Sequence, residues 1–120
     1  MYKLVILIEA QEDTARFDSR WPQFLALAEK MPGLRREVTS RVDRVLHGTF
    51  QVHMMHELFF DSLKAATDAM ASIEGGAAGQ ILQDISGGKV TLLLADHSQD
   101  DLAHIRRHSE KQSAPPGNRA

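Results

Sequence analysis

Residues 54–72, MMHELFFDSLKAATDAMAS, constrain the fold more than any other stretch of this chain. An apolar, strand-like run ends at Phe60. Asp61 and Ser62 then supply helix-start chemistry, and an amphipathic helix follows with no spacer. A strand that feeds directly into a helix belongs to an α+β domain, in which the helix packs back onto the sheet it has just left.

The rest of the chain supplies the other elements of such a domain. Tyr2–Glu9 (YKLVILIE) is a near-continuous aliphatic run, suited to a strand buried on both faces inside a sheet. Phe17 to Lys30 carries Phe17, Trp21, Phe24, Leu25 and Ala28 along one helical stripe. Pro22 leaves two readings open there: a helix from Asp13 or Thr14 with a kink at Pro22, or a turn followed by a helix from about Pro22. Pro32-Gly33 ends it in either case. Leu34 to Val45 alternates, with Leu34, Val38 and Val42 on one face and Arg35, Glu37, Thr39, Arg41 and Asp43 on the other. His47-Gly48 is the expected turn, and Phe50 to Phe60 the returning strand of an antiparallel hairpin. A second helix runs from Leu63 to Ile73 and is stopped by Gly75-Gly76. A short helix follows over Ala77–Ile85, closed by Gly87-Gly88, and Val90–Ala95 is the last strand.

The order is β-α-β-β-α-β with one extra helical piece, the ferredoxin-like split βαβ pattern of the α+β class, with a four-stranded antiparallel sheet. The expected organisation is a domain over 1–97, a surface helix over 98–110 and a disordered tail over 111–120. Two helices cover one sheet face. The other face carries apolar residues with nothing in the chain to cover it, so a two-fold homodimer packed sheet against sheet is expected.

Composition narrows the chemistry. The net charge of −2 comes with no basic block, so nucleic acid is not an expected partner. With no cysteine, disulfides, thiolate metal sites and cysteine nucleophiles are excluded. The longest apolar run, Leu4–Ile8, is too short to span a bilayer and lacks the flanks of a signal peptide, so no membrane partner and a cytoplasmic location are expected. His104 and His108 stand one helical turn apart but lack the intervening glutamate of a zinc helix, and no metal or other cofactor is expected.

Four segments together resemble the EthD-like family. Met31-Pro-Gly-Leu-Arg-Arg36 is similar to its "lPGLrr" segment after the first helix. Glu57-Leu-Phe-Phe-Asp-Ser-Leu63 is similar to its "E-L-W-F-D-S-L" strand-to-helix junction. Ala71-Ser-Ile-Glu74 with Gly79 is similar to its "aSpEgqa" piece, and Trp21 to the tryptophan of its first helix. The resemblance covers about residues 1–97. It implies a dimeric α/β barrel around a small apolar cavity, and cofactor-free action on a small hydrophobic carbonyl or aromatic compound, by proton transfer, cyclisation or oxidation. Many members carry a histidine in the first helix. Counting back from Pro32 places it at Phe24, and counting forward from Trp21 places it at Leu25, so this chain has no imidazole there. Glu37 stands where tyrosine is common.

The candidate site residues follow from strand alternation. His53 and Glu57 share a strand face with Gln51, Met55 and Phe59, which is assigned to the barrel, while Phe50, Val52, Met54, Leu58 and Phe60 are assigned to the helices. An imidazole beside a carboxylate suits proton transfer near neutral pH, so His53 and Glu57 are the catalytic candidates; the alternative is a polar pair lining the dimer interface. Glu37 and Arg41 are expected to face the barrel, either orienting an anionic substrate or forming an inter-subunit salt bridge. Trp21, Phe24 and Met55 are expected to line the pocket or the core. His56 falls on the helix side as a hydrogen-bonded core residue. A non-catalytic carrier or sensor of a small apolar ligand, and a purely structural dimer with a filled barrel, are the rival functions.

Overall fold

The computed structural model describes residues 1–103. Strand β1 (Tyr2–Glu9) is central, as its unbroken apolar run requires. It pairs antiparallel with β3 (Val52–Phe60) on one side and β4 (Val90–Asp96) on the other, and β2 (Arg36–Arg41) lies outside β3. The sheet order β2-β3-β1-β4 with helices α1 (Ala15–Ala28), α2 (Leu63–Ala71) and α3 (Ile73–Ser86) gives the α+β, ferredoxin-like architecture.

Register decides which side chains meet the helices, because directly opposed residues of an antiparallel pair share a face. Leu4, Ile6 and Ile8 oppose Leu58, His56 and Met54, and all of these but His56 join α1, α2 and α3 in the apolar core. Lys3, Val5 and Leu7 oppose Phe59, Glu57 and Met55 on the other face. No described element covers that second face, but it is not bare: Lys3, Arg36 and His97 pack around the Phe59 ring and leave it 2% exposed.

Two face assignments made from alternation are corrected by the pairing. First, Ile8 pairs with Met54 but Glu9 pairs with Val52, which makes His53 the extra residue of a β-bulge. The bulge breaks the two-residue period and turns His53 to the helix side, where its ring meets Phe17 of α1 edge-on at 6.0 Å. Second, Glu37 opposes Leu58, Thr39 opposes His56 and Arg41 opposes Met54. Glu37 and Arg41 therefore lie on the helix face, and Val38, opposite Glu57, lies on the open one. Phe50 precedes β3 and is exposed.

Helix α1 runs unbroken through Pro22, which bears out the earlier of the two expected starts; Thr14 stands at its N-terminus. Phe17, Trp21, Phe24 and Ala28 form its buried stripe. The glycines at 75 and 76 do not stop α2. The break comes earlier, at Ser72, which is at once the last cap of α2 and the first of α3: its Oγ accepts from the Gly75 N–H at 3.0 Å. Gly75 is required there, because a Cβ would lie 2.2 Å from the Ala69 carbonyl oxygen. Gly87, at φ 61°, closes α3 in the left-handed region. Arg16 and Arg20 of α1 both pair with Asp84 of α3 and tie the two helices together at the surface. The expected helix over 98–110 is described only as far as residue 103. His104, His108 and the tail over 111–120 lie outside the described residues.

Candidate functional site

The first half of α3 is built of small residues, and Gly75, Gly76, Ala78 and Gly79 all line a space that this helix leaves unfilled. The result is a cavity of about 270 Å³ between α3 and the helix face of the sheet. Leu4, Ile6, Leu58 and Leu92 form its floor, Phe24 and Met31 one wall, and Met70 and Leu82 the sides. Every lining side chain is apolar, so the space suits an uncharged, largely apolar molecule. Its lip is open: Gly76, Gly79, Met70 and Leu92 are all exposed to solvent. Helix glycines that look like breaks in the sequence therefore border the cavity, and the spacing Gly75, Gly79, Leu82 on one helix face was the available signal.

The cavity lies on the opposite side of the sheet from the expected barrel interior. Of the residues named from sequence, Phe24 lines it. Trp21 stacks on Phe24 at 4.8 Å, one ring away. Met55 is half-buried on the open face. His53 and Glu57 are not brought together: the sheet separates them, and Glu57 instead pairs with Lys3 at 2.5 Å on the open face, its side chain 11% exposed. Arg41 is exposed on the edge strand β2.

The groups that do meet are His56 and Glu37. His56 is fully buried beneath α1, with the rings of Trp21 and Phe24 edge-on at 5.1 and 5.9 Å. Its Nδ1 is hydrogen-bonded to Thr39 Oγ1 across 2.8 Å. Its Nε2 faces the Glu37 carboxylate at 3.7 Å, too long for a hydrogen bond, and both atoms are buried without another protein partner. Burial holds the imidazole down at about 4, against an opposing pull from the Glu57 charge, so it is neutral at pH 7. Burial, reinforced by the Glu29 carboxylate, pushes the Glu37 carboxyl up. Among the described residues no cluster of three or more histidine, cysteine or acidic side chains is arranged to hold a metal ion, and no helix is long and apolar enough to cross a membrane.

No protein-family model matches the chain. An uncharacterised 11.0 kDa protein from the thcB-thcC intergenic region of Rhodococcus erythropolis is 27% identical over 97 residues, which cover 80% of this chain and 94% of that one. Among solved structures, an ethyl tert-butyl ether D (EthD) family protein from Bacillus halodurans superposes with a TM-score of 0.75 at 29% identity, covering 82% of this chain and 99% of the other. SnoaB, a cofactor-independent oxygenase from Streptomyces nogalater, gives a TM-score of 0.61 at 16% identity over 82% and 94%. A dimeric ferredoxin-like protein of unknown function from Jannaschia gives 0.59 at 16% over 80% and 97%. The last two show a shared fold alone. The resemblance to EthD-like proteins read from the four segments thus extends to the three-dimensional structure, across nearly the whole of the Bacillus chain.

Proposed function

We propose that this EthD-like chain binds a small, uncharged, mainly apolar compound in the cavity between α3 and the sheet, as a carrier or sensor rather than by charged-group catalysis inside it. The observation that supports this reading is the cavity itself, about 270 Å³ with no ionisable lining residue. An apolar cavity of roughly 150 Å³ holds benzene, so this one suits a ligand of about ten non-hydrogen atoms. A second reading, cofactor-free proton transfer, cyclisation or oxidation of a hydrophobic carbonyl or aromatic compound, draws on the buried His56–Glu37 pair beside the cavity wall. Turnover of a bound compound without added cofactor would favour it.

Gly79→Val tests the site. Gly79 lines the cavity, and a Cβ there meets nothing within 4 Å, so valine is accommodated and projects at the lip. Calorimetry with naphthalene should show affinity reduced about tenfold or more, which corresponds to roughly 1.4 kcal/mol. The thermal midpoint should hold or rise, because glycine costs a helix interior about 1 kcal/mol. Unchanged naphthalene binding in the variant would place the ligand elsewhere.

The open sheet face is assigned to a second copy of the chain, closing the dimeric barrel that the EthD resemblance implies. Leu93, 47% exposed, and the half-buried Leu7 and Met55 supply the apolar part of that face. Light scattering at micromolar concentration should give twice the 13.4 kDa chain mass. A monomer at that concentration would leave the barrel without support.

A further inference from the structure

His56 is separated from the cavity by the thickness of one side chain. Ile6 is its partner across the β1–β3 ladder, Leu58 is the next residue on the same face of β3, and Phe24 meets its ring at 5.9 Å; all three line the cavity. The imidazole is fully buried, and its Nε2 and the Glu37 Oε2 stand 3.7 Å apart with no other protein partner. Such a pair is costly to bury unless something bridges it. One oxygen atom can lie within hydrogen-bonding distance of both, accepting from one and donating to the other. Thr39, bonded to Nδ1, holds the ring so that Nε2 points at Glu37.

We propose that His56 and Glu37 together form the polar anchor of the cavity's ligand. The ligand class is then an apolar ring or branched chain bearing one neutral hydroxyl group. The body fills the space under α3. A turn of the Phe24 ring opens the cavity wall toward Nε2, and the ligand oxygen bridges Nε2 and Oε2. This inference rests on the ligand-binding reading of the cavity. It goes beyond that reading in naming residues that do not line the cavity as the source of specificity.

The test compares p-cresol with p-xylene, two probes that differ by one hydroxyl group. Calorimetric affinities are measured for the unaltered protein, His56→Phe and Glu37→Gln. Loss of a buried anchor should weaken p-cresol binding about tenfold or more in His56→Phe while p-xylene changes less than about twofold. Glu37→Gln, on a partly exposed edge strand, keeps the test informative if His56→Phe does not fold, and it should lower p-cresol affinity selectively as well. In the unaltered protein, the His56 Nε2 resonance in nitrogen-15 spectra should shift with p-cresol and not with p-xylene. Equal losses for both probes, or p-cresol binding indifferent to both substitutions, would overturn the anchor and leave the cavity reading standing. If neither probe binds the unaltered protein, the cavity reading fails and the anchor with it.

Discussion

Replacing Trp21 with alanine is expected to destabilise the fold by about 3–5 kcal/mol, the range for emptying a large aromatic site in a packed core. The indole is 6% exposed, stacks between Phe17 at 5.2 Å and Phe24 at 4.8 Å, and takes the His56 ring edge-on. Its removal strips packing from both neighbours and admits water above a buried, neutral imidazole. Against a total stability of roughly 5–15 kcal/mol, such a loss is a large share. Urea unfolding followed by far-ultraviolet circular dichroism measures it without relying on the tryptophan signal. A cost below about 1 kcal/mol would mean that the aromatic stack is peripheral to the core.

Acidification is expected to weaken the protein because of His56. Its imidazole titrates at about 4 in the folded state against an ordinary value of 6.5, so as the pH falls the unfolded chain takes up the proton first. The stability this neutral histidine lends is complete above pH 6.5 and drains away as the pH drops toward 4. Amounts near 3 kcal/mol are at stake, at roughly 1.4 kcal/mol per pH unit of displacement. Glu37 acts in the opposite direction. Its raised carboxyl holds a proton more tightly when folded, so its contribution is present below its ordinary value and is lost as the pH rises through the raised one. Other carboxylates titrate in the same range, so the decisive quantity is a difference. Urea midpoints between pH 7.5 and 4 should fall more steeply for the unaltered protein than for His56→Gln. Parallel curves would show that His56 is protonated as readily in the folded chain as in the unfolded one.

The order of strands and helices was legible because the apolar periods are long and the junctions carry strong local chemistry: β1 as an unbroken aliphatic run, Ser62 as a cap, Gly87 as a stop. The candidate site was less legible, for three physical reasons. A bulge leaves no mark in composition, so strict alternation placed His53 on the wrong face. On the edge strand β2 the apolar residue Val38 faces the open side and Glu37 the helices, the reverse of what hydrophobic-in patterning suggests, since both faces of this sheet carry apolar groups. The cavity is bordered in part by residues without side chains. Gly75 and Gly76 read as helix punctuation until Ser72 is seen to cap both helices and to start α3 ahead of them, and Gly79 falls inside the expected short helix. His56 was placed correctly on the helix side, but its meeting with Glu37 depends on a cross-strand register that sequence does not encode locally.

The shared cap at Ser72 also bears on how quickly a guest could come and go. A corner in which one residue ends α2 and begins α3 has no spare link to bend, and Gly75 packs against the Ala69 carbonyl with no clearance for adjustment. The elbow behaves as a fixed bracket, and the two helices cannot swing apart at that end without breaking the cap. A guest would then pass at the solvent-open lip away from that elbow, where Leu92 sits on the edge strand β4, hydrogen-bonded along one side only. Exchange rates should accordingly follow side-chain motion at the β4 margin, on the fast timescale of exposed rotamers, and not the slower timescale of helix displacement.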